Sequence, residues 1–372
     1  YINYLMKKIL HIINGLERGG AEKMLLKFVN YSVSNKNINN IVLSLTKSGS
    51  LLNDFKKPNS EIYEIGLNSI NLISNIKTLN EIKKKHKINV VQGWMYHGNL
   101  FAFIFQKIFF SKAKLFFNVR HALYNFKFEN YKNIFSITIG KFISRFADKI
   151  IYNSAVSKNH HEDKGYSNKN GVIVRNGFIE LKHFEEKKKL SPWLIDNDTF
   201  VIGKIARFHK IKAYDIFLQA CSLVDKKCKI LVVCIGRGTD GLEFKKLISK
   251  YKFNLKPITV GEVFNPEIYL KDIDILINSS FTESMPNIIG EAFLHDTFCI
   301  ATNVGDTHLY FDDKEFLFEP GDFRSLEKKI ENFIKLNKDQ KSKLIDTSKN
   351  NLFSNYSIKK VCSKYFELYN LQ

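Results

Sequence analysis

The 372-residue sequence predicts an α/β protein built from two doubly wound parallel-sheet domains. Two observations carry that expectation. Short β-branched runs alternate with helix-period segments from end to end, and such alternation implies parallel sheets covered on both faces. The alternation also breaks once, over a polar stretch at 185–198, and then restarts. The chain is too long for one comfortable core, and a 44% hydrophobic content is enough to bury two. Wholesale disorder is excluded on the same ground.

Taken in order, segments 8–13, 40–45, 61–65, 89–92, 114–119, 149–152 and 172–174 have strand character, and 21–32, 70–86 and 134–146 have helical periodicity. The interruption runs from Glu185-Glu186-Lys187-Lys188-Lys189 through Ser191-Pro192 to Asp196-Asn197-Asp198. It sets the expected division: an N-terminal domain at 1–190 and a C-terminal one at 191–355. Beyond it, strands are expected at 200–206, 229–234, 257–260, 273–278 and 298–302, with helices at 214–224, 242–251 and 286–294. A last helical segment, 358–369, has no strand after it, and 356–372 is expected to pack back across the domain junction.

The balance of 57 Lys+Arg against 37 Asp+Glu, a net +20, suits an anionic partner: nucleic acid, acidic lipid or phosphorylated small molecules. Part of the excess follows from a composition rich in Lys, Asn, Ile and Phe, residues that AT-rich codons favour. Five cysteines in apolar surroundings, with no CxxC pair, read as buried reduced thiols of a cytosolic protein. Lys7-Lys8 is followed by too short an apolar run for a signal peptide, and Met6 resembles a natural start. The most apolar stretch, 100–110, is about half the length of a bilayer span and holds Gln106 and Lys107.

Three local patterns suggest chemistry. The first strand leads through Asn14-Gly15-Leu16-Glu17-Arg18 into Gly19-Gly20-Ala21-Glu22 and a helix. Gly19 and Gly20 would let backbone approach a phosphate at the helix N-terminus, or serve simply as a turn. After strand 200–206, Arg207 and Lys212 stand where two cations could neutralise a diphosphate, Arg by a fork of donors and Lys as a point charge. The same loop could equally be a solvated basic turn. The strongest pattern is Phe281-Thr282-Glu283-Ser284-Met285-Pro286-Asn287-Ile288-Ile289-Gly290-Glu291. Pro286 suits a first helical turn, the amides around Met285 to Ile288 suit phosphate or sugar hydroxyls, and Glu283 and Glu291 suit hydroxyl donors. Asp272-Ile273-Asp274 leads into a buried strand and reads as structural, so no metal site is expected.

The Glu283…Glu291 spacing resembles the E-x7-E signature of retaining glycosyltransferase family 4, and the resemblance spans nearly the whole chain. It includes Gly19-Gly20-Ala21-Glu22, Asn153-Ser154, Arg175-Asn176-Gly177-Phe178, Ala206-Arg207-Phe208-His209 with Lys212, Gly236-Arg237-Gly238, Ala301-Thr302-Asn303-Val304-Gly305-Asp306 and Pro320-Gly321-Asp322. It implies the GT-B fold, two Rossmann-like domains facing a central cleft. By resemblance, Arg207 and Lys212 bind the donor diphosphate, Glu291 the ribose and Glu283 the transferred sugar, with Met285, Pro286, Asn287 and Ile288 beside them. Gly19 and Gly20 approach the phosphates from the other domain. His121 falls where the family places a histidine near the reacting sugar, and His97 is a second candidate; either could instead be structural. Two departures from the family pattern, Ser284 and Asp306, bear on sugar identity.

The resemblance further implies retention of configuration without a metal or other cofactor, the nucleotide diphosphate-sugar (UDP-sugar favoured) acting as co-substrate. His97, Arg120 and Tyr124 mark the acceptor side. Aromatics mixed with cations from His121 through Lys127-Phe128 to Lys141-Phe142 and Arg145 would suit a lipid-linked glycan and peripheral contact with an anionic inner membrane face. The chain is thus similar to hexosyl- or N-acetylhexosaminyl-type enzymes of surface polysaccharide assembly. Rival readings are a nucleotide-sugar epimerase or hydrolase of the same fold, then a basic nucleic-acid-binding protein. The latter lacks helix-turn-helix and zinc patterns, so nucleic acid is not an expected partner.

Overall fold

A computed structural model describes residues 6–33, 38–56, 60–67, 72–126, 129–180, 193, 196 and 198–370, the side chains of 72 and 73 aside. Most of the polar interruption at 185–198, and Lys127 and Phe128, lie outside the described residues. The chain divides into two compact units, 1–179 with 356–372 and 180–355.

Unit 1 runs β1 (Lys7–Ile13), α1 (Gly20–Ser32), β2 (Ile38–Ser44), α2 (Leu52–Phe55), β3 (Ser60–Glu64), α3 (Leu72–Lys85), β4 (Val90–Trp94), α4 (Met95–Phe109), β5 (Lys114–Val119), α5 (Tyr131–Ile143), β6 (Lys149–Tyr152), α6 (Ala155–Asp163) and β7 (Gly171–Ile173). Its seven strands are parallel in the order β3-β2-β1-β4-β5-β6-β7. The order reverses between β1 and β4, and the region outside the carboxyl ends of such a pair is where doubly wound sheets take ligands. The apolar run 100–110 belongs to α4, whose Tyr96, Ala102 and Phe105 are buried in the core that lies on one face of the sheet. Gly98 lets α4 approach β1 closely, since a Cβ there would meet the Ile12 carbonyl oxygen at 2.5 Å.

Unit 2 runs β8 (Phe200–Ile205), α7 (Tyr214–Val224), β9 (Ile230–Ile235), α8 (Leu242–Ile248), β10 (Ile258–Gly261), β11 (Ile275–Asn278), α9 (Asn287–Leu294), β12 (Phe298–Thr302), β13 (Leu317–Phe318), α10 (Phe323–Lys335) and α11 (Lys338–Tyr356). The six-stranded sheet is parallel in the order β10-β9-β8-β11-β12-β13, with its reversal between β8 and β11. Both sheets therefore have the two-fold doubly wound plan. β13, α10 and α11 are not among the expected elements: a two-residue strand has no period and α11 has no sustained apolar stripe, whereas Leu326, Ile330 and Phe333 of α10 do recur at helical spacing. The predicted helix at 134–146 starts earlier, at Tyr131, because the Asn130 side chain caps the Asn133 N–H at 2.8 Å.

The last helix, α12 (Ile358–Leu368), completes unit 1. Ile358, Val361, Cys362 and Tyr365 join a core cluster with Met24, Phe28 and Trp94. Each buried apolar side chain of this size contributes about 1.5–3 kcal/mol, so α12 is a structural member of the unit. The Tyr369 hydroxyl donates to Gln92 Oε1 at 2.5 Å, and Asn118 Nδ2 donates to the Tyr365 hydroxyl at 2.8 Å. The five cysteines are unpaired, and burial pushes the thiols of Cys221, Cys234, Cys299 and Cys362 up.

Candidate active site

In unit 2 the two loops at the β8/β11 switch point converge. The β8 loop carries Arg207, exposed, and closes in a 3-10 turn at 210–212 before Ala213 enters α7. The β11 loop carries Ser279, Ser280 and Glu283 to the N-terminus of α9. Lys212 Nζ pairs with Glu283 Oε1, and the Ser280 hydroxyl donates to that same oxygen at 2.7 Å. The Phe281 N–H donates to the Ile211 carbonyl at 2.8 Å, tying loop to loop. Pairing in so enclosed a setting holds both side chains in one orientation before any ligand arrives.

Pro286 stands just before α9, at its cap, where its own side chain makes no cap hydrogen bond. The helix N-terminus so presents its amides and dipole beside the Lys212–Glu283 pair. Met285 and Pro286 are buried, Asn287 and Ile288 half-buried, and Asn287 Oδ1 is enclosed with no hydrogen-bond partner among the described residues. Glu291 lies half-buried in the second turn. Gly305 adopts φ +60, and a Cβ there would meet the Glu283 carbonyl oxygen at 2.3 Å. The Asp306 N–H donates to the Ser284 carbonyl at 2.8 Å, so the two departures from the family motif are bonded neighbours.

Beneath these loops lies a residue that the motif reading gave no role. Lys204, on β8, is 1% exposed; its Nζ donates to the Ser279 hydroxyl at 2.7 Å and sits 5.1 Å from the Tyr214 ring centroid. The Ser279 hydroxyl in turn reaches the Ala213 carbonyl at 3.0 Å. Burial, with the Lys212 charge adding to it, pushes the Lys204 amine down to about 7. The one available signal was a lysine inside the apolar run Phe200-Val201-Ile202-Gly203-Lys204-Ile205.

In unit 1, Gly19 caps α1 and Gly20 opens it, with the Lys23 N–H donating to the Gly19 carbonyl at 3.0 Å. Met95, immediately after β4, holds φ +63, a strained backbone at the switch point. Arg120 donates through Nη1 to the Tyr365 hydroxyl at 3.2 Å and to Asn118 Oδ1 at 3.3 Å, and through Nη2 to Asn176 Oδ1. Its guanidinium lies 5.9 Å from the Trp94 ring centroid. His121 Nε2 meets Glu129 Oε1 at 2.6 Å, and its ring lies edge-on to Tyr96. His97 is half-buried, and burial with Lys132 nearby pushes its imidazole down. Tyr124 is exposed and packs against the His160 ring at 6.1 Å.

Among the described residues, no three His, Cys, Asp or Glu side chains cluster as metal ligands do. Asp274 is structural, accepting the Val201 N–H at 2.6 Å. No described helix is long and apolar enough to cross a membrane.

The family model Glycosyl transferases group 1 matches residues 185–351. The chain is 24% identical over 330 residues to a capsular polysaccharide biosynthesis glycosyltransferase, CapH, of Staphylococcus aureus, covering 84% of this chain and 87% of the relative. It is 28% identical over 196 residues to CapM of the same organism, about half of each chain (50% and 49%). In structure it resembles HepE of Anabaena in complex with UDP and glucose, with a TM-score of 0.78 at 16% identity over 98% of this chain and 100% of that one. At that identity the likeness speaks for the fold. Residues 185–351 are a glycosyl transferases group 1 domain, carried in a chain of GT-B fold.

Proposed function

We propose that the chain is a retaining glycosyltransferase that moves a hexosyl or N-acetylhexosaminyl unit from a nucleotide diphosphate-sugar, UDP-linked by preference, to a glycan or lipid-linked glycan of surface polysaccharide assembly. The observation that carries this reading is the Lys212–Glu283 pair beside the N-terminus of α9. Cleaving a sugar–phosphate bond builds negative charge on the leaving diphosphate. Lys212, held by Glu283, and the α9 amides are donors set in place for that charge, needing little reorganisation as it develops, and the exposed Arg207 lies on the same loop to join them. Glu283 and Glu291 accept from sugar and ribose hydroxyls. A transfer of this kind asks no metal of the protein. The UDP named with the HepE structures and the capsular role named for CapH and CapM point toward UDP and a surface glycan.

A lipid-linked acceptor is favoured by one face of unit 1. Tyr131, Phe135, Phe142 and Phe146 are exposed at helical spacing along α5 and the turn after it. Lys132, Lys141 and Lys107 lie 5.9, 6.0 and 5.6 Å from the Tyr131, Phe142 and Phe146 ring centroids. Aromatic rings flanked by cations suit the headgroup region of an anionic bilayer at the inner face of the membrane.

The test is calorimetric titration with UDP, GDP and their sugar conjugates, without metal, beside Glu291→Ala and Lys212→Ala. Micromolar binding of one nucleotide, weakened by both substitutions, is expected; folded protein that binds none would overturn the reading. Turnover of the donor that is indifferent to added acceptor would mark an epimerase or hydrolase instead. Flotation with phosphatidylglycerol but not phosphatidylcholine vesicles, lost when the four aromatics become serine, is expected for the membrane face.

A further inference from the structure

We propose that Glu129 is a positioning residue for His121, fixing the ring with its proton on Nε2 so that Nδ1 is the nitrogen offered to the substrate. The proposal rests on the reading of His121 as part of the transfer site. A carboxylate accepts and does not donate, so the 2.6 Å contact between His121 Nε2 and Glu129 Oε1 requires the hydrogen on Nε2. In its neutral form the ring then carries its lone pair on Nδ1, an acceptor for a sugar hydroxyl.

Glu129 is itself held. Its side chain is 8% exposed against 32% for His121, and Oε2 accepts from Asn133 Nδ2 at 2.9 Å. Asn130 caps α5 between them, so Glu129 stands at the entrance to a helix whose register is set by that cap. From the other side, the Ser157 hydroxyl donates to the His121 carbonyl at 2.7 Å, and Tyr96 meets the imidazole edge-on at 6.3 Å. Tyr96 is immobilised through its hydroxyl, 2.9 Å from His161 Nε2. Backbone, ring plane and tautomer of His121 are each set by a different neighbour, and among the described residues only Glu129 acts on the tautomer. A surface ion pair would ask for none of this support.

The experiment compares Glu129→Ala, Glu129→Gln, Asn133→Ala and His121→Ala in two readouts. Nitrogen-15 spectra of histidine-labelled protein without ligand are expected to show His121 as the Nε2–H tautomer in the wild type and a tautomer mixture in Glu129→Ala, with Glu129→Gln, which keeps a carbonyl acceptor, close to wild type. Transfer kinetics are expected to show kcat down about 10- to 100-fold in Glu129→Ala, the cost seen when a metal-bound histidine loses its orienting partner, with the donor KM within twofold, and a smaller fall in Asn133→Ala. A single Nε2–H tautomer persisting in Glu129→Ala would overturn the positioning role, whatever the activity. An unchanged kcat in Glu129→Ala alongside a large loss in His121→Ala would overturn it too. Full activity in His121→Ala would instead remove His121 from the reaction, and the role of Glu129 with it, while donor binding by unit 2 would stand.

Discussion

Lys212 and Glu283, 71 residues apart in sequence, are joined by an ion pair where the loops after β8 and β11 meet. The pair makes the two residues separable by experiment. Without Lys212, Glu283 keeps only the Ser280 hydroxyl among the described residues and repels an incoming diphosphate. Lys212→Ala is therefore expected to weaken nucleotide diphosphate binding by about 10- to 100-fold, the cost of exposing an unpaired charge of this kind. Glu283→Gln is expected to leave that binding within threefold and to lower kcat by about 100-fold or more, as loss of a transition-state contact does. Calorimetry and initial rates check both. Equal losses of binding in the two variants would mean the pair is structural.

The same loops carry backbone strain that can be relieved or worsened. Ala213 holds φ +45, a left-handed conformation that costs an L-residue about 1–2 kcal/mol. Ala213→Gly relieves it, against a loss of unfolded-chain stiffness of about 0.4–1 kcal/mol, for an expected net gain of about 0–1.6 kcal/mol. Gly305→Ala meets both an unfavourable φ and the Glu283 and Ser284 carbonyl oxygens at 2.3 and 2.5 Å. Urea denaturation is expected to show it destabilised by about 1–3 kcal/mol, with donor binding reduced because the Glu283 loop must shift.

Glu22, in the first turn of α1, should make stability depend on pH. Burial, with Glu17 adding repulsion, pushes its carboxyl up to about 7. The folded value lies above the unfolded one of 4.5. Its contribution is whole below pH 4.5 and is lost as pH rises through 7. Glu22→Gln is thus expected to match wild type near pH 4.5 and to exceed it in Tm at pH 8. A difference that does not grow over that interval would contradict the assignment.

His11 works in the opposite direction. It is fully buried, its Nδ1 accepts the Trp94 indole N–H at 3.2 Å, and its Nε2 faces Asn40 Oδ1 at 3.1 Å. Burial outweighs the Asn40 bond and pushes the imidazole down to about 4. Protonating Nδ1 would set two donors against each other. Here the folded value lies below the unfolded 6.5, so stability is whole above pH 6.5 and is lost as pH falls through 4. His161, also buried and pushed down to about 4, adds to the slope. Unfolding followed by Trp94 fluorescence in a Trp193→Phe background is expected to shift to lower urea between pH 6.5 and 4, less steeply when His161→Gln is added.

Alternation of β-branched and helix-period segments determined the α/β class and the parallel sheets, because a strand buried on both faces must be apolar throughout and a covering helix must be apolar on one side. The E-x7-E spacing and the loop lysine likewise stood in the linear sequence, since each belongs to one strand–loop–helix unit. That Lys212 meets Glu283 was decided by strand order: β8 and β11 are neighbours although β9 and β10 come between them in the chain. Lys204 under Ser279, Tyr365 against Asn118 and Arg120, and Glu129 on His121 were decided the same way, by contacts whose partners no local period relates. Periodicity reports which face of an element is buried; which other element covers that face follows from the packing of the whole unit.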